Sequence, residues 1–145
     1  MNSWHGSPSC APPLPNEPRW LSIDVAIEKN RPEVEETGER HFLRDIGLLE
    51  GALARPQNAF AYGEEDIVVL AVRLLAGIAQ AHAFEQGNKR TAFGSMWHFL
   101  RLNGYDLDIE DSDYWEGPTV ELIEHRLSEE EFAERLRPFV VERPQ

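Results

Sequence analysis

The chain contains a single cysteine, Cys10, which therefore has no partner for an intramolecular disulfide and fits a reducing compartment. Long apolar runs are missing too. No stretch reaches the roughly 18 residues needed to cross a bilayer, so a soluble, cytoplasmic protein with no membrane partner is expected. Positive charge is scarce: 14 Lys and Arg stand against 26 Asp and Glu, a formal net charge of −12. That balance argues against nucleic acid as a partner, because neutralising phosphates takes clustered cations. His41, His98 and His125 occur singly, without Cys or carboxylates at ligand spacing, and read as packing or surface residues. No internal repeat or heptad run is visible.

What is present is a chain of 145 residues with 41% hydrophobic content, enough for one compact domain with a sizeable core. Residues 1–18 hold half of all the prolines and neither the cationic start nor the apolar run of a secretory signal. They read as a disordered Pro-rich tail in which Trp4 and Leu14 are solvent-exposed. The domain is placed at residues 19–140.

Within it, Ser22 caps a helix expected over residues 22–30, with Pro32 preventing its continuation and a polar surface loop following to Arg44. Asp45 opens a second helix carrying Leu48, Leu49 and Leu53, which Arg55 and Pro56 are expected to end. The string PQNAFAYG, residues 56–63, alternates Phe60 and Tyr62 among breakers and predicts an extended loop or hairpin. Residues 64–82 form the most apolar segment, read as a buried helix whose acidic opening suits the helix dipole. Another helix over residues 89–103 puts Ala92, Phe93, Met96, Trp97 and Leu100 on one face and stops at Gly104. Trp97 and Trp115 are assigned to the core. After six acidic residues in DLDIEDSDYWE, two more helical stretches follow, the second opened by a capping box at Ser128 and Glu131. The fold class is all-α.

The string HAFEQGNKRT, residues 82–91, carries the chemistry. With Asn88 as helix cap and Lys89 and Arg90 in the first turn, free backbone N–H groups and the positive dipole end at residues 87–90 make an anion site. Lys89 and Arg90 add cationic donors, and Gly87 permits close backbone approach. His82, across the turn, has an imidazole suited to taking a proton from an attacking hydroxyl. Phe84 is the hydrophobic anchor of the loop.

This string resembles the motif of the Fic superfamily, and Lys89 followed by Thr91 and Ala92 looks like its death-on-curing (Doc) branch. The resemblance extends through RDIGLLEGALARP, residues 44–56, a Phe-x-Tyr pair at Phe60 and Tyr62, and FLRLNGYDL, residues 99–107. It implies a compact helical bundle with a short extended flap, His82 as general base, and Asn88, Lys89 and Arg90 as phosphate binders. It also implies a flap at Ala59, Phe60, Ala61 and Tyr62 that aligns a protein substrate. ATP is the implied donor, and a small antitoxin the implied partner. Members with Gly after the Asn transfer AMP, whereas the Doc branch, with Lys there, is similar to a kinase that phosphorylates a threonine of elongation factor Tu and halts translation.

Three departures from the family pattern stand out. Gln86 occupies the acidic position that holds Mg2+ in the family, with Glu85 one step earlier; a neutral amide holds a hard cation less strongly, leaving the metal to the nucleotide's phosphates. Phe93 replaces the second arginine of AMP-transferring members. Ser112 to Gly117 match the spacing of the family's inhibitory motif, but Gly117 and Pro118 are expected to break the helix that would present Glu116. Three readings stay open: a Doc-like kinase toxin, an AMP transferase, and a weakened binding module.

Overall fold

The computed structural model describes residues 16–144. The expected tail lies mostly outside the described residues, and Trp4, Cys10 and Leu14 with it. Among the described residues six α-helices follow one another: α1 (Ile23–Glu35), α2 (Ile46–Ala61), α3 (Ile67–Ala81), α4 (Asn88–Leu102), α5 (Glu116–Ile123) and α6 (Glu129–Leu136). Two three-residue strands, β1 (Tyr105–Leu107) and β2 (Val140–Glu142), pair antiparallel with Asp106 opposite Val141. Among the described residues no helix is long and apolar enough to cross a membrane.

The helix α3 forms the centre because almost nothing on it is polar. Every residue from Leu70 to Ala79 except Arg73 is buried, a pattern that only a helix covered on all sides sustains. α2 and α4 pack along it, α5 and α6 close further sides, and α1 lies on α4. At the α2–α3 crossing a Cβ on Gly77 would stand 3.0 Å from the Ala52 carbonyl oxygen, so glycine is what lets the two backbones come together. Arg73, the charge inside α3, reaches outward to Glu129 at 2.8 Å, which also takes Arg55 at 2.9 Å.

Two prolines expected to stop helices stand inside them. α1 continues through Pro32, which is exposed, so the carbonyl that loses its N–H partner is left to water. α2 continues through Pro56, which is buried with Leu49, Ala52 and Leu53 on the face turned to α3. Packing of that face outweighs a lost helix bond and a strained turn of about 3 kcal/mol. The segment holding Ala59, Phe60 and Ala61 is consequently helical, not an extended loop or hairpin, and the chain turns only at Tyr62 and at Gly63 with φ of 109°. Phe60 packs edge-on against Trp20 at 5.8 Å, while Tyr62 is exposed.

The small sheet was not legible in the sequence, since three-residue strands carry no alternation to read. Pro118 also does not break α5: it is the third residue of that helix, where an N–H has no partner to lose. The capping box at Ser128 and Glu131 and the left-handed Gly104 are as expected. Trp115 is buried as assigned; Trp97 is only partly covered and donates to Asp106 at 2.6 Å.

Candidate active site

α3 ends and α4 begins at the two edges of the loop that carries HAFEQGN. His82 is the C-cap of α3 with φ of 52°, a left-handed conformation that a residue with a Cβ adopts only when its surroundings impose it. The surroundings are visible. Arg44 Nη2 donates to the His82 carbonyl at 3.1 Å, and the N–H groups of Arg44 and Asp45 both donate to the Ala83 carbonyl. Leu43 bridges to Phe84, and the Glu85 N–H donates to the Phe42 carbonyl at 2.9 Å. Arg40 grips Glu85 through two nitrogens, each at 3.0 Å, and those hydrogen bonds hold the Glu85 carboxyl below its ordinary range. The loop thus runs alongside an extended segment, residues 40–45.

On the inner side Phe84 is fully buried, as the anchor should be. The Asn88 amide turns back on it, accepting from the Phe84 N–H at 3.1 Å and donating to its carbonyl at 2.9 Å. Asn88 is therefore the first residue of α4 and a brace for the loop; the cap is Gly87, φ 75°, and no side chain caps the helix start. The close approach Gly87 permits is to α1: a Cβ there would stand 2.9 Å from Val34 Cγ1 and 3.1 Å from Asn30 Nδ2. Asn30, fully buried, donates to the Gln86 carbonyl at 2.8 Å.

Two clefts flank the start of α4. The smaller, about 280 Å³, is lined by His82, Glu85, Gln86, Gly87, Asn88 and Lys89, with Val120 and Ile123 of α5 and its C-cap Glu124 opposite. The larger, about 420 Å³, holds Arg90 as well as Lys89 over Phe93, Trp97 and Trp115, and is walled by six carboxylates. Lys89 borders both; Arg90 opens only on the larger one. His82, Gln86, Gly87, Asn88 and Lys89 are therefore brought together, whereas the Arg90 side chain is not with them. Ala59, Phe60, Ala61 and Tyr62 line neither cleft.

Charge separates the two clefts. An anion in the larger would face Glu33, Glu36, Glu110, Asp111, Asp113 and Glu116, while in the smaller one both carboxylates are already paired, Glu85 with Arg40 and Glu124 with Arg126. Among the described residues Lys89 and Arg90 make no ion pair and the His82 imidazole has no hydrogen-bond partner. With the unpartnered N–H groups of the first turn of α4, the smaller cleft can accept an oxyanion beside a base.

Sequence reading missed Asn30 and Arg40, which hold the loop from 56 and 45 residues away, and His41, which holds the Asn30 amide. Nothing in HAFEQGNKRT signals them. Arg44 alone was inside a quoted motif.

The Fic/DOC family profile matches residues 20–100. The chain is 47% identical over 68 residues to Toxin Doc of Mycolicibacterium smegmatis, covering 45% of this chain and 52% of that protein, so it spans about half of that relative's length. It is 30% identical over 120 residues to Protein kinase doc of Escherichia phage P1, covering 82% of this chain and 94% of that one. A matched profile over more than half the chain, a full-length relative, and a buried Phe84 between His82 and an uncapped helix start all lead to one conclusion: the chain belongs to the Fic/Doc family.

Proposed function

We propose that this protein is a Doc-like toxin that transfers the γ-phosphate of ATP to a Ser or Thr hydroxyl of a protein, a translation factor such as elongation factor Tu being the target class. The observation that carries the reading is the smaller cleft, in which an unpartnered His82 faces an uncapped helix start and an unpaired Lys89. The names of the two relatives, a toxin and a protein kinase, support it. Lys89 and Phe93, at the positions where AMP-transferring members carry Gly and a second arginine, favour phosphate over AMP transfer.

In this scheme His82 takes the proton of the attacking hydroxyl as its oxygen bonds to the γ-phosphorus. The bond from that phosphorus to the β,γ-bridging oxygen breaks, and ADP leaves with the electron pair. The N–H groups at the start of α4 and the Lys89 ammonium lie where the phosphoryl oxygens gather charge. Mg2+ at the family's acidic position does not fit the donors present. Gln86 offers a neutral amide, Glu85 is gripped by Arg40, and among the described residues no group of three or more His, Cys, Asp or Glu could hold a metal. The scheme rests on this chain's own groups.

The test is to incubate the protein with a bacterial lysate and ATP labelled at the γ- or α-phosphate. Label from γ-ATP alone is expected, falling about 10²–10⁴-fold in His82→Ala. Label from α-ATP alone replaces phosphorylation with AMP transfer. A second reading, a binding module without transfer, draws on Gln86; no labelled protein from either donor supports it. A small antitoxin is the expected partner in either case.

A further inference from the structure

Among the described residues Asn30 is one of four fully or nearly fully buried polar residues, and its amide hydrogens and oxygen all have partners. Nδ2 donates to the Gln86 carbonyl at 2.8 Å and to Thr91 Oγ1 at 3.0 Å; Oδ1 takes the Nδ1–H of His41 at 2.9 Å. The orientation of that amide follows from its neighbours, since a carbonyl can only accept. Nitrogen must face Gln86, and His41 must donate to the oxygen. The result is a chain of aligned dipoles, His41 to Asn30 to Gln86, in which each bond polarises the next.

Its end point is the peptide that closes the loop, just before α4. No cis peptide occurs among the described residues, so the Gln86 carbonyl and the Gly87 N–H point in opposite directions across their peptide plane. With the carbonyl pinned inward on Asn30, the Gly87 N–H is turned outward, away from α1 and toward the solvent side of the loop. We propose that Asn30 is the positioning residue of the phosphate cradle: from inside the core it sets the plane of the Gln86–Gly87 peptide, and His41 fixes its amide the right way round. This deepens the transferase reading and rests on it for the identity of the anion. Asn30 touches no substrate; it acts through the backbone.

Asn30→Asp isolates the claim. The side chain keeps its size, one oxygen still accepts from His41, and the Thr91 hydroxyl can rotate to donate to the other. The Gln86 carbonyl loses its amide donor and meets a carboxylate oxygen instead, and the variant is read at high pH, where no carboxyl proton can replace that donor. His41→Ala, at a half-buried position, frees the amide to turn and serves where Asn30→Asp folds poorly. Leu53→Ala, in α2 and remote from the loop, is the control for lost stability.

Three quantities are measured: amide exchange of residues 84–90 in the free protein, affinity for inorganic tripolyphosphate, and kcat/KM for ATP. In Asn30→Asp loop exchange is expected to quicken about tenfold with loss of one hydrogen bond. Tripolyphosphate should bind more weakly, and kcat/KM should fall by about 100-fold through misplacement of the cradle. His41→Ala should move all three in the same direction by less, and Leu53→Ala should lower Tm while leaving them at wild-type values. The proposal is overturned if loop exchange and tripolyphosphate affinity in Asn30→Asp and His41→Ala match the control, or if exchange quickens and neither affinity nor kcat/KM changes. A wild-type protein that transfers no phosphate would remove the transferase reading by itself, while exchange and tripolyphosphate affinity would still decide the role of Asn30.

Discussion

Gln86 and Gly87 sit side by side in the loop and answer to different neighbours. The Gln86 amide is solvent-exposed while its carbonyl is buried on Asn30, so its side chain is free to change without disturbing the turn. Gln86→Asp should therefore fold normally and lower the Mg2+ concentration needed for half-maximal transfer, because an anionic oxygen binds a hard cation more strongly than a neutral amide does. Magnesium titration of the labelling rate in both proteins checks this; identical curves would show that the residue has no part in metal use. Gly87→Ala should fail differently. Its φ of 75° and the Val34 methyl 2.9 Å from the added Cβ combine strain with a clash, expected to remove about 2 kcal/mol and roughly 6 °C of Tm. Thermal melting against wild type measures it. The residues of the motif were legible because each was quoted with its chemistry. What Asn88 does was not, since its amide turns back to Phe84 for a reason that lies in the loop's path.

At the scale of elements, Asp66 ties the start of α3 to the segment that follows α6. It caps α3 by accepting from the Val68 N–H at 2.9 Å and takes Arg137 from beyond α6 at 2.8 Å. Burial pushes its carboxyl up, and the Arg137 and Val68 hydrogen bonds together outweigh burial, so it titrates below the ordinary Asp value. A depressed pKa contributes stability that is present above the unfolded value, about 3.9, and is lost as pH falls through the folded one. Asp66→Ala should then cost about 1 kcal/mol at neutral pH, chiefly through the cap, since the half-exposed ion pair adds little. The deficit should shrink below pH 4. Urea melts of both proteins from pH 7 to pH 3 test the sign; a gap that widens on acidification contradicts it. Helix type and order were readable from periodicity, but not the persistence of α1 and α2 through Pro32 and Pro56. A proline's local cost is visible in sequence, whereas the packing that overrides it belongs to helices far along the chain.

For the whole molecule, the distribution of charge matters more than its total. The formal charge is −12, yet the smaller cleft has both its acids paired, Glu85 with Arg40 and Glu124 with Arg126, and its cation free. Retention on a polyanion column at physiological salt is accordingly not expected. Expression in bacteria should arrest growth, and His82→Ala should relieve the arrest. Arrest that persists in His82→Ala would favour the binding module over the enzyme.

By itself the sequence determined the helical class, the buried α3, the family and the residues of the loop, because apolar spacing and a contiguous motif are local records. Only the tertiary structure decided which of those residues share a cleft, that Arg90 turns away from His82, and that residues 40–45, not Ala59 to Tyr62, run beside the motif. It also decided that HAFEQGNKRT is held in shape by Asn30, Arg40, His41 and Arg44. A loop rich in function has few bonds of its own, so its conformation is set by whatever distant segments the packing of the helices brings against it.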